Sequence, residues 1–364
     1  MIRILTIVGA RPQFIKAAAI SHAIRDKYVD AICEDILHTG QHYDDAMSGQ
    51  FFTELDIPQP KHNLGVGSGN HGAQTAAMLK GIEGILLSKH YDGVLVYGDT
   101  NSTLAGALAA SKLHIPVYHV EAGLRSFNRD MPEEINRILT DHVSTILFCP
   151  TQTAVQNLRN EGFKEEQVVF SGDVMYDNVL HYSNLSPFTS HLSPFILATI
   201  HRDFNTDNPD RLKNILSALN SIAEQYNTKI LFPVHPRTKK QLDFFNFQFS
   251  IFNFQFVEPL SYLETLSALQ QCRLVLTDSG GLQKEAFFSG KCCVVLRPET
   301  EWVELVENGA AILADTDKER IMNATNRLID HTPTPTNHFG DGHAADIILE
   351  RILSQYINTQ QSIY

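Results

Sequence analysis

The chain has no apolar run long enough to span a bilayer, and its opening, Met1-Ile-Arg-Ile-Leu-Thr-Ile-Val-Gly9, is too short and too soon interrupted for a secretory signal. It is expected to be cytoplasmic, without a membrane partner, and to begin on a buried strand. Cysteine is scarce: Cys33, Cys149, Cys272, Cys292 and Cys293 make an odd count with no C-x-x-C spacing. That excludes a disulfide framework and a zinc finger, and no metal is expected. Positive charge is also short, with 29 Lys and Arg against 41 Asp and Glu and a net charge of −12. A nucleic-acid partner needs a basic face and is excluded; an anionic ligand must be held by local backbone dipoles. The turn after the first strand, Gly9-Ala-Arg-Pro-Gln-Phe-Ile-Lys16, is neither G-x-G-x-x-G nor a P-loop, so it supports neither NAD nor ATP hydrolysis, and no cofactor is expected.

What is present is enough apolar residue, 43% of 364, for two domains of ordinary size. β-rich apolar runs alternate with helical-period segments throughout, the signature of an α/β fold. Predicted strands cover Arg3 to Val8, Ala31 to Leu37, Gly93 to Tyr97, Pro116 to Val120, Thr145 to Cys149 and Gln167 to Phe170. A second set covers Phe195 to Thr199, Lys229 to Val234, Gln255 to Glu258, Arg273 to Thr277 and Cys292 to Leu296. The Ser- and Pro-rich run from Ser183 to Pro194 reads as a connection between two doubly wound halves, and the Phe-rich stretch from Phe244 to Phe256 as packed strand and loop. Expected domains are therefore 1–170, 171–343 and a C-terminal helix within 344–364.

In an open parallel sheet, ligands bind outside the carboxyl ends of the strands. Three carboxylates fall there or just beyond: Asp99 after one strand, Glu121 after the next, and Glu133 at the start of the following helix with Glu134 beside it. They are candidates for acid/base work, although Glu133 and Glu134 also suit the first turn of a helix dipole. Arg11 and Lys16 follow the first strand near a helix N-terminus, where an anion is favoured; a plain turn with two solvated cations accounts for them too. In the second half, Ser279, Gly280 and Gly281 lead from a buried strand into a helix, leaving first-turn N–H groups for a diphosphate unless this is only a tight turn. Glu285, one turn in, is placed to reach ribose hydroxyls. His201 and Arg202 end a strand, suited to proton transfer or phosphate contact, and His235 ends the next one. These parts suggest a nucleotide diphosphate on the second domain whose appended group faces carboxylates of the first.

Arg11-Pro12, Gly98-Asp-Thr100, His119-Val-Glu-Ala-Gly-Leu-Arg125, Pro132-Glu-Glu134 with Asn136-Arg137, His201-Arg202, Asp278-Ser-Gly-Gly281 with Glu285, and Gly340-Asp-Gly342 occur in that order. Together, over nearly the whole chain, they closely resemble the non-hydrolysing UDP-N-acetylglucosamine 2-epimerases. The resemblance implies two Rossmann-like domains of the glycosyltransferase-B type with a cleft between them, a C-terminal helix packed back on the first domain, and a homodimer. It also implies the activity: interconversion of UDP-N-acetylglucosamine and UDP-N-acetylmannosamine by anti elimination of UDP and re-addition, for cell-surface polysaccharide. By matching positions, the catalytic acids are Asp99, Glu121 and Glu133 and the catalytic histidine is His201. Nucleotide contacts fall on Arg11, Ser279, Gly280, Gly281 and Glu285, with Lys16 near the phosphates. Two other functions share the fold, a glycosyltransferase and a non-catalytic sugar-nucleotide binder.

The departures are local. Many members read Gly-Thr-Arg-Pro-Glu where this chain has Gly9-Ala-Arg-Pro-Gln13, and Thr-Glu-Arg-Pro-Glu where it has Thr300-Glu-Trp-Val-Glu304. The arginine replaced by Trp302 is a ligand contact in those members, so a cation is expected to be missing there. This chain looks more like the branch acting on UDP-2,3-diacetamido-2,3-dideoxyglucuronate, the alternative substrate. Gln41-His-Tyr-Asp-Asp45 lacks the side chains that some members use for activation by UDP-N-acetylglucosamine.

Overall fold

The structure, a computed structural model, describes residues 1–41, 51–183, 194–244 and 253–361. The expectations placed on His42 to Asp45, on the connection from Ser183 to Pro194 and on the centre of the Phe-rich stretch lie largely outside the described residues.

The chain forms two compact units, Met1–Asn178 with Asn337–Tyr364, and Val179–Thr336. The first carries β1 (Ile2–Val8), β2 (Ile32–His38), β3 (His62–Asn63), β4 (Gly93–Tyr97), β5 (Val117–Val120), β6 (Ile146–Cys149) and β7 (Val168–Phe170), in the order β3-β2-β1-β4-β5-β6-β7. The second carries β8 (Phe195–Thr199), β9 (Lys229–Pro233), β10 (Phe254–Val257), β11 (Cys272–Thr277), β12 (Cys293–Val295) and β13 (Ala311–Leu313), in the order β10-β9-β8-β11-β12-β13. Every strand pairing in both sheets is parallel. Helices cover both faces of such sheets, so central strands are buried throughout and read as continuous apolar runs; β4 is buried at every residue. The two strands the periodicity does not predict, β3 and β13, have two and three residues, too few to show a period.

Each sheet reverses its strand order once, between β1 and β4 in the first unit and between β8 and β11 in the second. Loops leaving those strands open onto the crevice that binds ligands in doubly wound folds. Gly9 to Arg11 follow β1 and Asp99 follows β4; His201 follows β8 and Asp278 to Gly281 follow β11. Gly9 is required by space alone, since a Cβ there would lie 2.1 Å from Ser102 Oγ and 2.2 Å from Thr39 Oγ1.

The helices are fixed by capping and apolar spacing. Helix Pro209–Gln225 has proline at its first turn and Asn208 before it, whose side chain accepts from the N–H groups of Asp210 and Arg211, both at 3.1 Å. Leu212, Ile215, Leu216, Leu219 and Ile222 recur at helical spacing and are all fully buried against the second sheet's apolar cluster. Helix Ala344–Gln361 belongs to the first unit, where the Asp177 carboxylate accepts from Ala344 N at 3.1 Å and Ala345 N at 2.8 Å. All five cysteines are reduced, and burial pushes Cys272 up to about 12 and Cys292 up to about 11, which makes them core thiols rather than nucleophiles.

Strand β2 holds a buried carboxylate that contributes to stability. Burial alone would raise the Asp35 pKa, but donors from Lys89, Lys61 (3.0 Å) and Tyr91 (2.9 Å) outweigh it and hold the group at about 2. A carboxylate with a depressed folded-state pKa stabilises fully above its unfolded value near pH 4, and that contribution fades as the pH falls toward 2. Because Lys61 is half exposed, the expected cost of Asp35→Asn at pH 7 is about 1–2 kcal/mol. Urea unfolding should show the gap between variant and wild type closing between about pH 4 and pH 2; a constant gap would count against it.

Candidate active site and nucleotide site

Local geometry at the end of β5 is unusual. Glu121 has φ +69°, in the left-handed region that an ordinary side chain occupies only when its surroundings hold it there, at a cost of roughly 1–3 kcal/mol. Its Oε1 lies 2.5 Å from Lys16 Nζ, on the helix after β1. Both atoms crowd Gly98, which ends β4 at φ +63°: a Cβ there would lie 3.1 Å from Lys16 Nζ and 3.4 Å from Glu121 Oε1. Gly98 is thus needed both for its turn and for the room it leaves.

Asp99 joins the same group. Its backbone carbonyl accepts from Asn136 Nδ2 at 2.9 Å and its Oδ2 from an Arg137 guanidinium nitrogen at 2.6 Å. Burial raises the Asp99 pKa, Arg137 and Lys16 pull it back, and the neighbouring Glu121 and Glu133 carboxylates raise it again, for a net upward shift. Asp99, Glu121, Glu133, Lys16 and Arg137 therefore share one electrostatic field.

Adjacent glutamates divide their work. Glu134 is 1% exposed and accepts from Ser126 N at 2.9 Å, Phe127 N at 3.0 Å and Arg137 at 3.0 Å. Burial would raise its pKa, but those donors hold it below the ordinary value. It pins the loop and the arginine. Glu133 is half-buried and acts on Asp99 by charge.

Arg11 has its guanidinium carbon 5.0 Å from the centre of the Phe51 ring. Gln13, where many members have glutamate, is buried and uses both ends of its amide: Oε1 accepts from Gly9 N at 2.8 Å, and Nε2 donates to Tyr97 O at 3.0 Å and Thr103 Oγ1 at 2.9 Å. A glutamate carboxylate could not donate those last two bonds.

In the second unit the fully buried Asp278 organises the end of β8. It accepts from His201 N at 3.1 Å, Arg202 N at 3.1 Å and Asn205 Nδ2 at 3.0 Å, and lies 3.1 Å from His201 Nδ1. Burial would raise its pKa, but these donors hold it low. The His201 side chain is 38% exposed, with the ring of the exposed His235 6.3 Å away. Arg202 Nε is buried without a hydrogen-bond partner among the described residues, a donor suited to an anion.

Ser279 caps helix Gly280–Phe288, and Gly280 and Gly281 form its first turn, with open space over Gly281. A Cβ on Gly280 would lie 3.6 Å from Glu301, 3.7 Å from Arg297 and 3.8 Å from Trp302 Nε1. Arg297 and Glu301 pair through both guanidinium nitrogens at 3.1 and 3.0 Å. Lys284, 1% exposed, stands with its ammonium 3.9 Å from the Trp302 ring centre. Trp302 itself brings no cation, and the one beside its indole face is Lys284. Glu285 is buried one turn into the helix.

Sequence reading missed Lys284 because its partner lies on a separate loop, and Arg137 because its arginine-to-carboxylate bonds need the folded loop. A signal existed for Arg137, three residues after Glu134 and one helical turn away.

The model of the family described as UDP-N-acetylglucosamine 2-epimerase matches residues 27–353. The UDP-2,3-diacetamido-2,3-dideoxy-D-glucuronate 2-epimerase of Pseudomonas aeruginosa is 50% identical over 96% of this chain and 98% of its own. The UDP-N-acetylglucosamine 2-epimerase of Methanocaldococcus jannaschii is 44% identical over 96% of this chain and 98% of its own. A crystal structure of the M. jannaschii UDP-GlcNAc 2-epimerase, in complex with UDP-GlcNAc and UDP, superposes with a TM-score of 0.88 at 43% identity, covering 97% of this chain and 100% of that one. The fold is the expected pair of Rossmann-like domains of the glycosyltransferase-B type.

Proposed function

The chain belongs to the UDP-N-acetylglucosamine 2-epimerase family, and on that premise we propose that it inverts C2 of a UDP-linked 2-acetamido sugar. The observation that carries this reading is the gathering of Asp99, Glu121 and Glu133 into one field with unequal environments. Inversion through anti elimination needs a group to take the C2 proton from one face and a group to return one to the other. Glu121, held against the Lys16 ammonium, is the carboxylate that takes the proton. The C2–H electron pair becomes the C1=C2 bond of a glycal, and UDP departs with the C1–O pair. Asp99, raised by burial and by its acidic neighbours, is the acid that reprotonates C2 before UDP adds back at C1. At the nucleotide end, the N–H groups of Gly280 and Gly281, Arg202 and His201 receive the diphosphate, and Glu285 the ribose.

The default substrate is UDP-N-acetylglucosamine, the substrate named for the M. jannaschii relative. The diacetamido-glucuronate is the second reading, favoured by the P. aeruginosa relative at 50% identity. On the family resemblance, we propose that the protein works in the cytoplasm as a homodimer supplying polysaccharide synthesis. Ile135 and Leu139, exposed one turn apart on helix Pro132–Val143, are apolar positions that a second copy would cover.

NMR of a UDP-sugar incubated with the enzyme in D2O, without acceptor or added cofactor, tests the class. Deuterium at C2 with UDP still attached is expected; a sugar that stays unlabelled with both nucleotides would end the epimerase reading. Comparing kcat/KM then chooses the sugar. A preference above roughly a hundredfold for the glucuronate, about 2.7 kcal/mol in transition-state binding, would overturn the default.

A further inference from the structure

His119 lies inside β5, 0% exposed, two residues before Glu121. Its Nδ1 is 2.7 Å from Asp141 Oδ1 and its Nε2 is 2.8 Å from Gly98 O. Both partners are hydrogen-bond acceptors, and the ring stands between them as the link. Asp141, also 0% exposed, turns its other oxygen to Gly123 N at 3.2 Å and to Arg125 at 2.7 Å. Arg125 in turn holds Glu161 through two bonds of 2.7 Å. Burial would raise the Asp141 pKa, and His119 and Arg125 outweigh it and keep the group ionised.

This chain of bonds joins two turns that carry the reacting carboxylates. One is Gly98-Asp99, with Gly98 at φ +63°; the other runs from Glu121 to Gly123, with φ +69° and +79° at its ends. Backbone pairing alone connects them only through Gly98 N to Val120 O at 2.9 Å. The imidazole supplies the second tie, holding the carbonyl that immediately precedes Asp99, while Asp141 holds the far end of the Glu121 turn. The turn strained at Glu121 keeps its shape only when its surroundings over-determine it.

We propose that His119, with Asp141, is a positioning residue that sets the Asp99 and Glu121 carboxylates at a fixed mutual angle; the proposal rests on the epimerase reading for its kinetic consequence. His119 touches no reacting atom. A displacement of about 1 Å between catalytic groups can cost roughly a hundredfold in rate.

The test compares His119→Ala and His119→Gln, with activity counted per UDP-binding site titrated by calorimetry, so that unfolded protein does not enter. His119→Ala should lower kcat by roughly 10- to 100-fold, with KM and UDP affinity changed by less than about threefold. Deuterium entry at C2 should fall in parallel. His119→Gln retains an amide donor for Gly98 O and should recover most of the loss. Titration of the Asp99 carboxyl by carbon-13 NMR, without substrate, should shift in His119→Ala and return toward wild type in His119→Gln. Unchanged turnover per site in His119→Ala, or a loss matched by equal loss of UDP binding, would overturn the proposal. Should the wild type exchange no C2 hydrogen, the epimerase reading falls, and the Asp99 titration still decides whether His119 positions that carboxyl.

Discussion

Glu121→Gln should lower turnover by roughly 10²- to 10⁴-fold, the range typical for loss of a general acid or base, while UDP affinity stays within about twofold. The substitution keeps size and shape and removes only the ability to accept a proton. Its place in the structure argues for a large effect: the residue is held at φ +69° with its carboxylate against Lys16. Strain of this kind is retained where the surroundings hold it for a purpose. Asp99→Asn should be comparably slow by another route, since its carboxyl must carry the proton delivered to C2. Deuterium wash-in separates the two, because Glu121→Gln should block exchange from the substrate it normally deprotonates. Wild-type turnover in Glu121→Gln would remove it from the chemistry and leave the Lys16 pair as a structural salt bridge.

The fold was largely legible because strands buried on both faces cannot hide. Leu5, Ile7, Val94 and Val96 announce central strands by the absence of any polar partner, and the strand-end positions of Asp99, Glu121, His201 and Ser279 follow from the topology of parallel sheets. What escaped depends on pairs far apart in the chain. Glu121 and Lys16 are separated by 105 residues, and nothing in either neighbourhood shows that they meet. The sequence places His119 inside an apolar strand, and only the fold sets Asp141 and Gly98 O on either side of it. Residue chemistry alone does not tell Glu133 from Glu134, and only the family resemblance picks Glu133; the loop N–H groups of Ser126 and Phe127 give the physical reason, since they make Glu134 the structural one.

Trp302 shows the same limit at the nucleotide end, and its neighbour carries the second large expected effect: Lys284→Met should weaken UDP binding by roughly 30-fold or more, about 2 kcal/mol. The sequence shows an arginine position occupied by tryptophan; the structure shows the Lys284 ammonium 3.9 Å from that ring, beside the N-terminus of helix Gly280–Phe288. Beside Gly280 lie Arg297 and Glu301, paired with each other through two bonds. The Lys284 ammonium and the helix dipole act in the same direction on a diphosphate. Methionine matches the lysine stem in length and keeps its apolar part, so the loss of affinity should exceed any change in stability. Because attraction grows with ligand charge, UMP should lose less affinity than UDP, under about fivefold. Calorimetry with the two nucleotides alongside thermal unfolding reads all three quantities. Equal losses for UMP and UDP, or a fall in unfolding temperature that tracks the lost affinity, would return Lys284 to a purely structural role beside Trp302.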